Sequence, residues 1–137
     1  MRWMTSFETG LKCMDEQHQH FFELMAELDR MAEKNQVSGI VPAIELLDRY
    51  LSYHFATEAD LMAVYDYPDR DQHIAEHERF RRLVWELARG DELQIGTLRL
   101  MLYRWFTTHS TDLDRALAEH VLRGRRASRK SGELEAA

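Results

Sequence analysis

The segment HFATEADLMAVYDYPDRDQHIAEH, residues 54–77, decides the fold. It falls at the end of an apolar stripe, Ile44, Leu47, Leu51, His54, Phe55, Glu58, Leu61 and Met62, spaced by three and four residues as on one face of an α-helix. Pro68 closes that helix just beyond Tyr65, and a second stripe, His73, His77, Phe80, Val84 and Leu87, begins after Asp69. Imidazoles and a carboxylate therefore sit among the leucines and phenylalanines instead of opposite them, where desolvation is costly unless something satisfies them. His54 and Glu58 are four apart, and so are His73 and His77; each pair projects from one face, within reach of a common metal ion.

Outward from this hairpin the same periodicity continues. Upstream, a helix from about Glu16 to Lys34 lines up His18, Phe21, Phe22, Met25, Leu28 and Met31, and Asn35 to Gly39 break it before Pro42 suits the first turn of the next. Downstream, Gly90 ends the third helix, and Leu98, Leu102, Trp105, Phe106, His109, Leu113 and Leu117 carry a fourth to about His120. Asp69 with Gln72, and Asp91 with Gln94, have the spacing of capping boxes. Short connections between four amphipathic helices predict an all-α fold, an up-down-up-down antiparallel four-helix bundle preceded by an extended N-terminal arm. Residues 1–120 are expected to form this bundle with its arm, and 121–137 a basic, polar C-terminal tail that is disordered.

His18, His109 and Asp114 add inward candidates from the first and fourth helices, so every helix offers a group able to bind metal, which is how metal sites are built inside bundles. His109 and Asp114 are five apart and diverge by about 140° on a regular helix. Both reach one site if a π-type turn lies between them. His20 lies two residues from His18 and is expected to face solvent, while His120 is read as a structural histidine near the last carbonyls of its helix. Cys13, the single cysteine, is read as a buried or incidental thiol in the arm.

Composition narrows the function classes. No apolar run approaches the roughly 18 residues of a membrane span, and the N-terminus lacks the pattern of a secretory signal, which sets the expectation of no membrane span and a cytoplasmic location. Net charge is −6, and the tail's five basic against two acidic residues give it +3, leaving −9 on the body. An acidic body argues against nucleic acid as partner, since phosphate is bound by positive surface. The basic tail is the one segment suited to an acidic protein partner.

These residues match the motifs of a known family. Asp15-Glu16-Gln17-His18, His54-Phe55-Ala56-Thr57-Glu58 with Met62 and Tyr67-Pro68, His73 with His77 and Phe80, and Trp105-Phe106-Thr107-Thr108-His109 with Asp114 resemble, in order and spacing, the successive motifs of the hemerythrins, and the opening with Trp3 and Thr9-Gly10 is similar to the bacterial branch. The resemblance implies two iron ions bridged by an oxo or hydroxo group and two carboxylates. His73, His77 and His109 would bind one iron, His18 and His54 the other, with Glu58 and Asp114 bridging. It implies reversible dioxygen binding at the open position of the two-histidine iron, for storage, delivery or scavenging, and no enzymatic turnover. The alternatives are an oxygen or redox sensor acting through a separate partner, and a di-iron oxidase or nitric-oxide-handling protein. Phe55, Trp105, Phe106 and Ser110 are expected to line the ligand pocket. Two positions depart from the family pattern: Ala59, which points away from the site and is expected to have little effect, stands where a second Glu is frequent, and Ser110 stands where an isoleucine is common. The Ser110 hydroxyl either faces the pocket, admits water and hastens autoxidation, or bonds back to a helix carbonyl.

Overall fold

In the computed structural model of the chain, residues 3–33, 40–89 and 92–136 are described, and they form an all-α bundle. A single 3-10 turn at Thr5–Phe7 leads into α1 (Lys12–Glu33), α2 (Ile40–Val64), α3 (Arg70–Ala88), α4 (Glu92–His109), a π-helical segment (Ser110–Asp114) and α5 (Arg115–Ala136). Because α4, the π segment and α5 run on without a break, the described residues make four helical rods and no strand. Each rod packs on the next in sequence, and α1 closes the ring against α4.

Two apolar clusters lie along the bundle. One gathers Phe21, Phe22, Met25, Leu28, Ile44, Leu47, Leu51, Phe80, Val84, Leu98, Leu102 and Phe106, the stripe residues named above. The other, at the opposite end, holds Leu11, Met14, Met62, Leu117, Ala118 and Val121. The polar stripe residues fall between them.

Helix boundaries differ from expectation where capping interactions decide them. α1 begins at Lys12, four residues early, because Asp15 reaches back and accepts from the Thr9 amide (2.7 Å), the Thr9 hydroxyl (2.8 Å) and the Gly10 amide (3.2 Å). Gly10 sits at φ 91°, a conformation that glycine adopts without strain. Cys13 is consequently in α1, half-buried against the second cluster. Asp69 precedes α3 as predicted but makes no side-chain capping bond. The break at 35–39, the Gly90 stop and the Asp91 cap lie outside the described residues.

Two expectations change. The segment from residue 121 is the continuation of α5 to Ala136 and not an irregular tail. Val121 is buried, Leu122 packs on the second cluster, and Ala, Leu, Arg and Lys are strong helix formers that carry the run onward. His120 then cannot cap its own helix, which does not end there. Its Nε2 instead donates to the Tyr65 carbonyl at 2.6 Å, at the C-terminus of α2. That terminus turns through Asp66 at φ 54°, and the Tyr67 amide closes back on the Met62 carbonyl at 2.9 Å, which leaves the Tyr65 carbonyl for His120.

Candidate metal centre

All four rods aim polar side chains at the gap between the two clusters. α1 supplies His18, α2 supplies His54 and Glu58, α3 supplies His73 and His77, α4 supplies His109, and the π segment supplies Asp114. All seven are at most 4% exposed. Their donor atoms fall into two sets, Glu58, His73, His77, His109 and Asp114, and His18, His54, Glu58 and Asp114, each with atoms within 4.8 Å of one another. The sets share both carboxylates.

The π segment is what brings Asp114 into the gap. Five residues at α-helical pitch would carry its carboxylate well past His109; one wider turn at Ser110–Asp114 turns it back, so that His109 Nε2 lies 2.9 Å from Asp114 Oδ1. Asp114 Oδ2 also meets His18 Nε2 at 2.9 Å, and His73 Nε2 approaches Oδ1 at 3.2 Å. Glu58 faces the remaining imidazoles: Oε1 is 2.6 Å from His54 Nε2, and Oε2 is 2.7 Å from His73 Nε2 and 3.2 Å from His77 Nε2. His77 and His109 bring their Nε2 atoms to 3.0 Å of each other.

Gln17 fixes the tautomer of His54. Gln17 Nε2 donates to the Thr57 hydroxyl, which donates to the Tyr53 carbonyl, so Gln17 Oε1 is left to accept from His54 Nδ1 at 2.6 Å. With its proton on Nδ1, neutral His54 presents a bare lone pair at Nε2 to a carboxylate oxygen 2.6 Å away. Lone pair against lone pair is relieved only by a cation between them, a proton in the metal-free protein or a metal ion in the loaded one. Glu58 Oε1 and Asp114 Oδ1 are buried with no hydrogen-bond partner among the described residues, in spite of imidazole nitrogens this close. Protons on all five Nε2 atoms would set like-charged groups against each other across the His77–His109 contact. Metal ions satisfy the whole set. Donor atoms adjacent on one octahedral ion, bound at about 2.1 Å, lie about 3.0 Å apart, and most of the contacts above fall close to that edge length. Nitrogen and oxygen donors of this kind suit first-row divalent metals.

The electrostatics of the metal-free protein agree with a site poised for cations. Burial pushes the Glu58 and Asp114 carboxyls up, but the facing imidazoles, His54 for Glu58 and His109 for Asp114 foremost, hold both well below the usual carboxylate range. Burial lowers His73, yet Asp114 and Glu58 raise it further, to about 9. His18 is also raised, burial being outweighed by Asp114. His77 is lowered, by burial first and by the charges of His109 and His73.

The expected pocket residues surround these imidazoles. Phe55 stacks on His77, with centroids 3.8 Å apart and planes at 6°, and Trp105 stacks on His109 at 4.2 Å. Phe106 meets His18 edge-on at 5.4 Å. The Ser110 hydroxyl is buried and donates to the Phe106 carbonyl at 2.7 Å, the back-bonded alternative of the two. His20 is exposed, as its phase requires. Sequence reasoning gave no site role to Gln17 or to Tyr50, whose hydroxyl donates to the Gln17 carbonyl. The available signal is chemical: a metal-facing imidazole needs an acceptor for its other N–H, and Gln17 adjoins His18.

A family model described as the Hemerythrin HHE cation binding domain matches residues 9–123, a span that contains all seven side chains, so the chain belongs to the hemerythrin family. It is similar to Bacteriohemerythrin of Stenotrophomonas maltophilia, 29% identical over 87% of this chain and 80% of that protein, and to Bacteriohemerythrin of Pseudomonas aeruginosa, 28% identical over the same shares. A Hemerythrin-like protein of Naegleria gruberi is 35% identical over 78% of this chain and 82% of its own length.

Proposed function

We propose that this chain holds two iron ions and binds dioxygen reversibly, as a carrier, store or scavenger and not as an enzyme. The observation that carries the reading is the pair of donor sets that share Glu58 and Asp114, because two ions sharing two carboxylates need that overlap. His73, His77 and His109 would hold one ion, His18 and His54 the other, with both carboxylates common to the two. When bound, the ferrous pair supplies the electrons and the Lewis acidity that dioxygen binding requires. Five imidazoles against two carboxylates separate this donor set from ferritin-like oxidases, which use four carboxylates and two histidines.

The chain's own groups do the rest. Gln17 keeps the His54 proton on Nδ1 and its Nε2 lone pair toward the centre. Phe55, Trp105 and Phe106 pack on the imidazoles and exclude bulk water from the edges that face the centre. Ser110, its hydroxyl committed to Phe106, presents no free donor. Among the described residues no helix is long and apolar enough to cross a membrane.

Anaerobic ferrous reconstitution with metal analysis, followed by optical titration with oxygen and its removal, tests the proposal. Two irons per chain and a coloured species that comes and goes with the gas are expected. Irreversible oxidation, or oxygen consumption without a stable coloured species, would move the reading to an oxidase or redox sensor.

A further inference from the structure

Four of the five imidazoles at the centre have an outward nitrogen that is either partnered or sealed. His54 Nδ1 has Gln17, and Nδ1 of His18, His73 and His109 are buried without partners. His77 differs. Its Nε2 faces the centre, so Nδ1 points away, and among the described residues that nitrogen is neither sealed in this manner nor hydrogen-bonded. The ring lines a slot of about 210 Å³ between α2 and α3, walled by Phe55, Ala56, Ala59 and Ile74 and rimmed by Glu78 and Arg81. Ala56 and Ala59 are adjacent on one helix face, and the slot exists because neither side chain extends beyond Cβ. A water's share of liquid volume is about 30 Å³, so the space accepts a molecule of several heavy atoms.

A ligating imidazole ordinarily donates its second N–H to a carboxylate, carbonyl or water, which fixes the ring and strengthens its bond to metal. We propose that the slot at Ala59 is a binding site for a small carboxylate of the formate or acetate class, which accepts from His77 Nδ1–H and so acts on the metal centre through His77. The proposal rests on the metal reading above. At the rim Arg81 is already tied to Asp48 at 3.0 and 3.1 Å, so the charge that draws an anion in against Glu78 comes from the loaded centre behind His77. Two divalent cations against two carboxylates leave the loaded centre positive, and metal withdraws charge from the ring, so the N–H binds an anion better in the loaded form. By reciprocity the anion then holds the metal more tightly.

The test is the rate at which zinc- or ferrous-loaded protein gives up metal to a chelator, in sodium formate against sodium perchlorate at equal ionic strength. Formate is expected to slow release in a saturable manner. Ala59→Glu, which supplies a carboxylate from α2 itself, is expected to slow it tenfold or more without formate, within the range of about 10 to 100-fold for such outer contacts, and to abolish the formate response. Ala63→Glu, one turn on at an exposed position, controls for added charge and is expected to behave as wild type. In the zinc-loaded wild type, formate should shift the His77 Nδ1 resonance ahead of the other four imidazoles. A formate-insensitive wild type overturns the proposal. So does an equal formate response in wild type and Ala59→Glu, since that is formate bound to the metal itself, and so does equal slowing by Ala59→Glu and Ala63→Glu. A chain that loads two metal ions and ignores formate sinks the slot alone; a chain that loads none sinks the metal reading and the slot with it.

Discussion

Gln17 decides which nitrogen of His54 faces the centre, though it lies off the apolar stripe of α1. Gln17→Leu should leave helix content unchanged and weaken metal retention by about 10 to 100-fold, read by competition with a chelator; unaltered retention would show that packing alone orients His54. His73 sets a pH dependence. Held protonated up to about 9 in the metal-free protein by Asp114 and Glu58 against the opposing effect of burial, it must lose a proton before it binds an ion. The sign follows: a raised pKa favours the metal-free fold below the ordinary histidine value near 6.5, and that contribution fades as pH climbs through about 9. Apparent metal affinity should therefore keep rising, with proton release on loading, until about pH 9, and a plateau from pH 7 in a titration with pH-stat detection would contradict it. Ser110, bonded to Phe106, should be nearly neutral: Ser110→Ala is expected to leave autoxidation within about twofold. Six of the seven inward residues are legible in sequence because each breaks an apolar stripe; Asp114 lies off its stripe and reaches the centre only through the wider turn at Ser110–Asp114. Gln17 and Tyr50 are not legible, because they act sideways between helices, on nitrogens whose direction no periodicity records.

At the scale of elements, the apolar spacing was sufficient for the rods, and one misfit spacing, His109 to Asp114, was sufficient for the π segment. Ends were harder to read. α1 starts early through the Asp15 contacts with Thr9 and Gly10, and α5 runs on past His120 because Val121 and Leu122 find a cluster made by residues about sixty and more than a hundred positions upstream. A composition rule for basic, polar termini has no access to such a contact. Gly124 marks the place where α5 meets the α2 terminus: a Cβ there would stand 2.6 Å from Tyr65 Cδ1. Gly124→Ala must displace the Tyr65 ring, which also receives Arg125 through its hydroxyl at 3.1 Å, and is expected to destabilise the protein by about 1 to 3 kcal/mol in denaturant melts, although alanine is the better helix former. A stabilised variant would mean that the ring swings aside freely.

For the whole molecule, the bundle has apolar cores at both ends and a polar waist of five imidazoles and two carboxylates. Without metal that waist carries buried, unsatisfied atoms, so removing metal with a chelator should lower the melting temperature; at free metal about a thousandfold above Kd the loaded form gains about 4 kcal/mol. Equal melting temperatures with and without metal would argue that the waist is satisfied by protons alone. Every rod contributes at least one of the seven groups, and each group lies inside a helical segment and not in a connection. The centre is thus indifferent to how the rods are joined and intolerant of losing any one of them. A chain severed in the turn at residues 65–69 should yield two pieces that are each unable to retain metal, yet recombine when mixed with it.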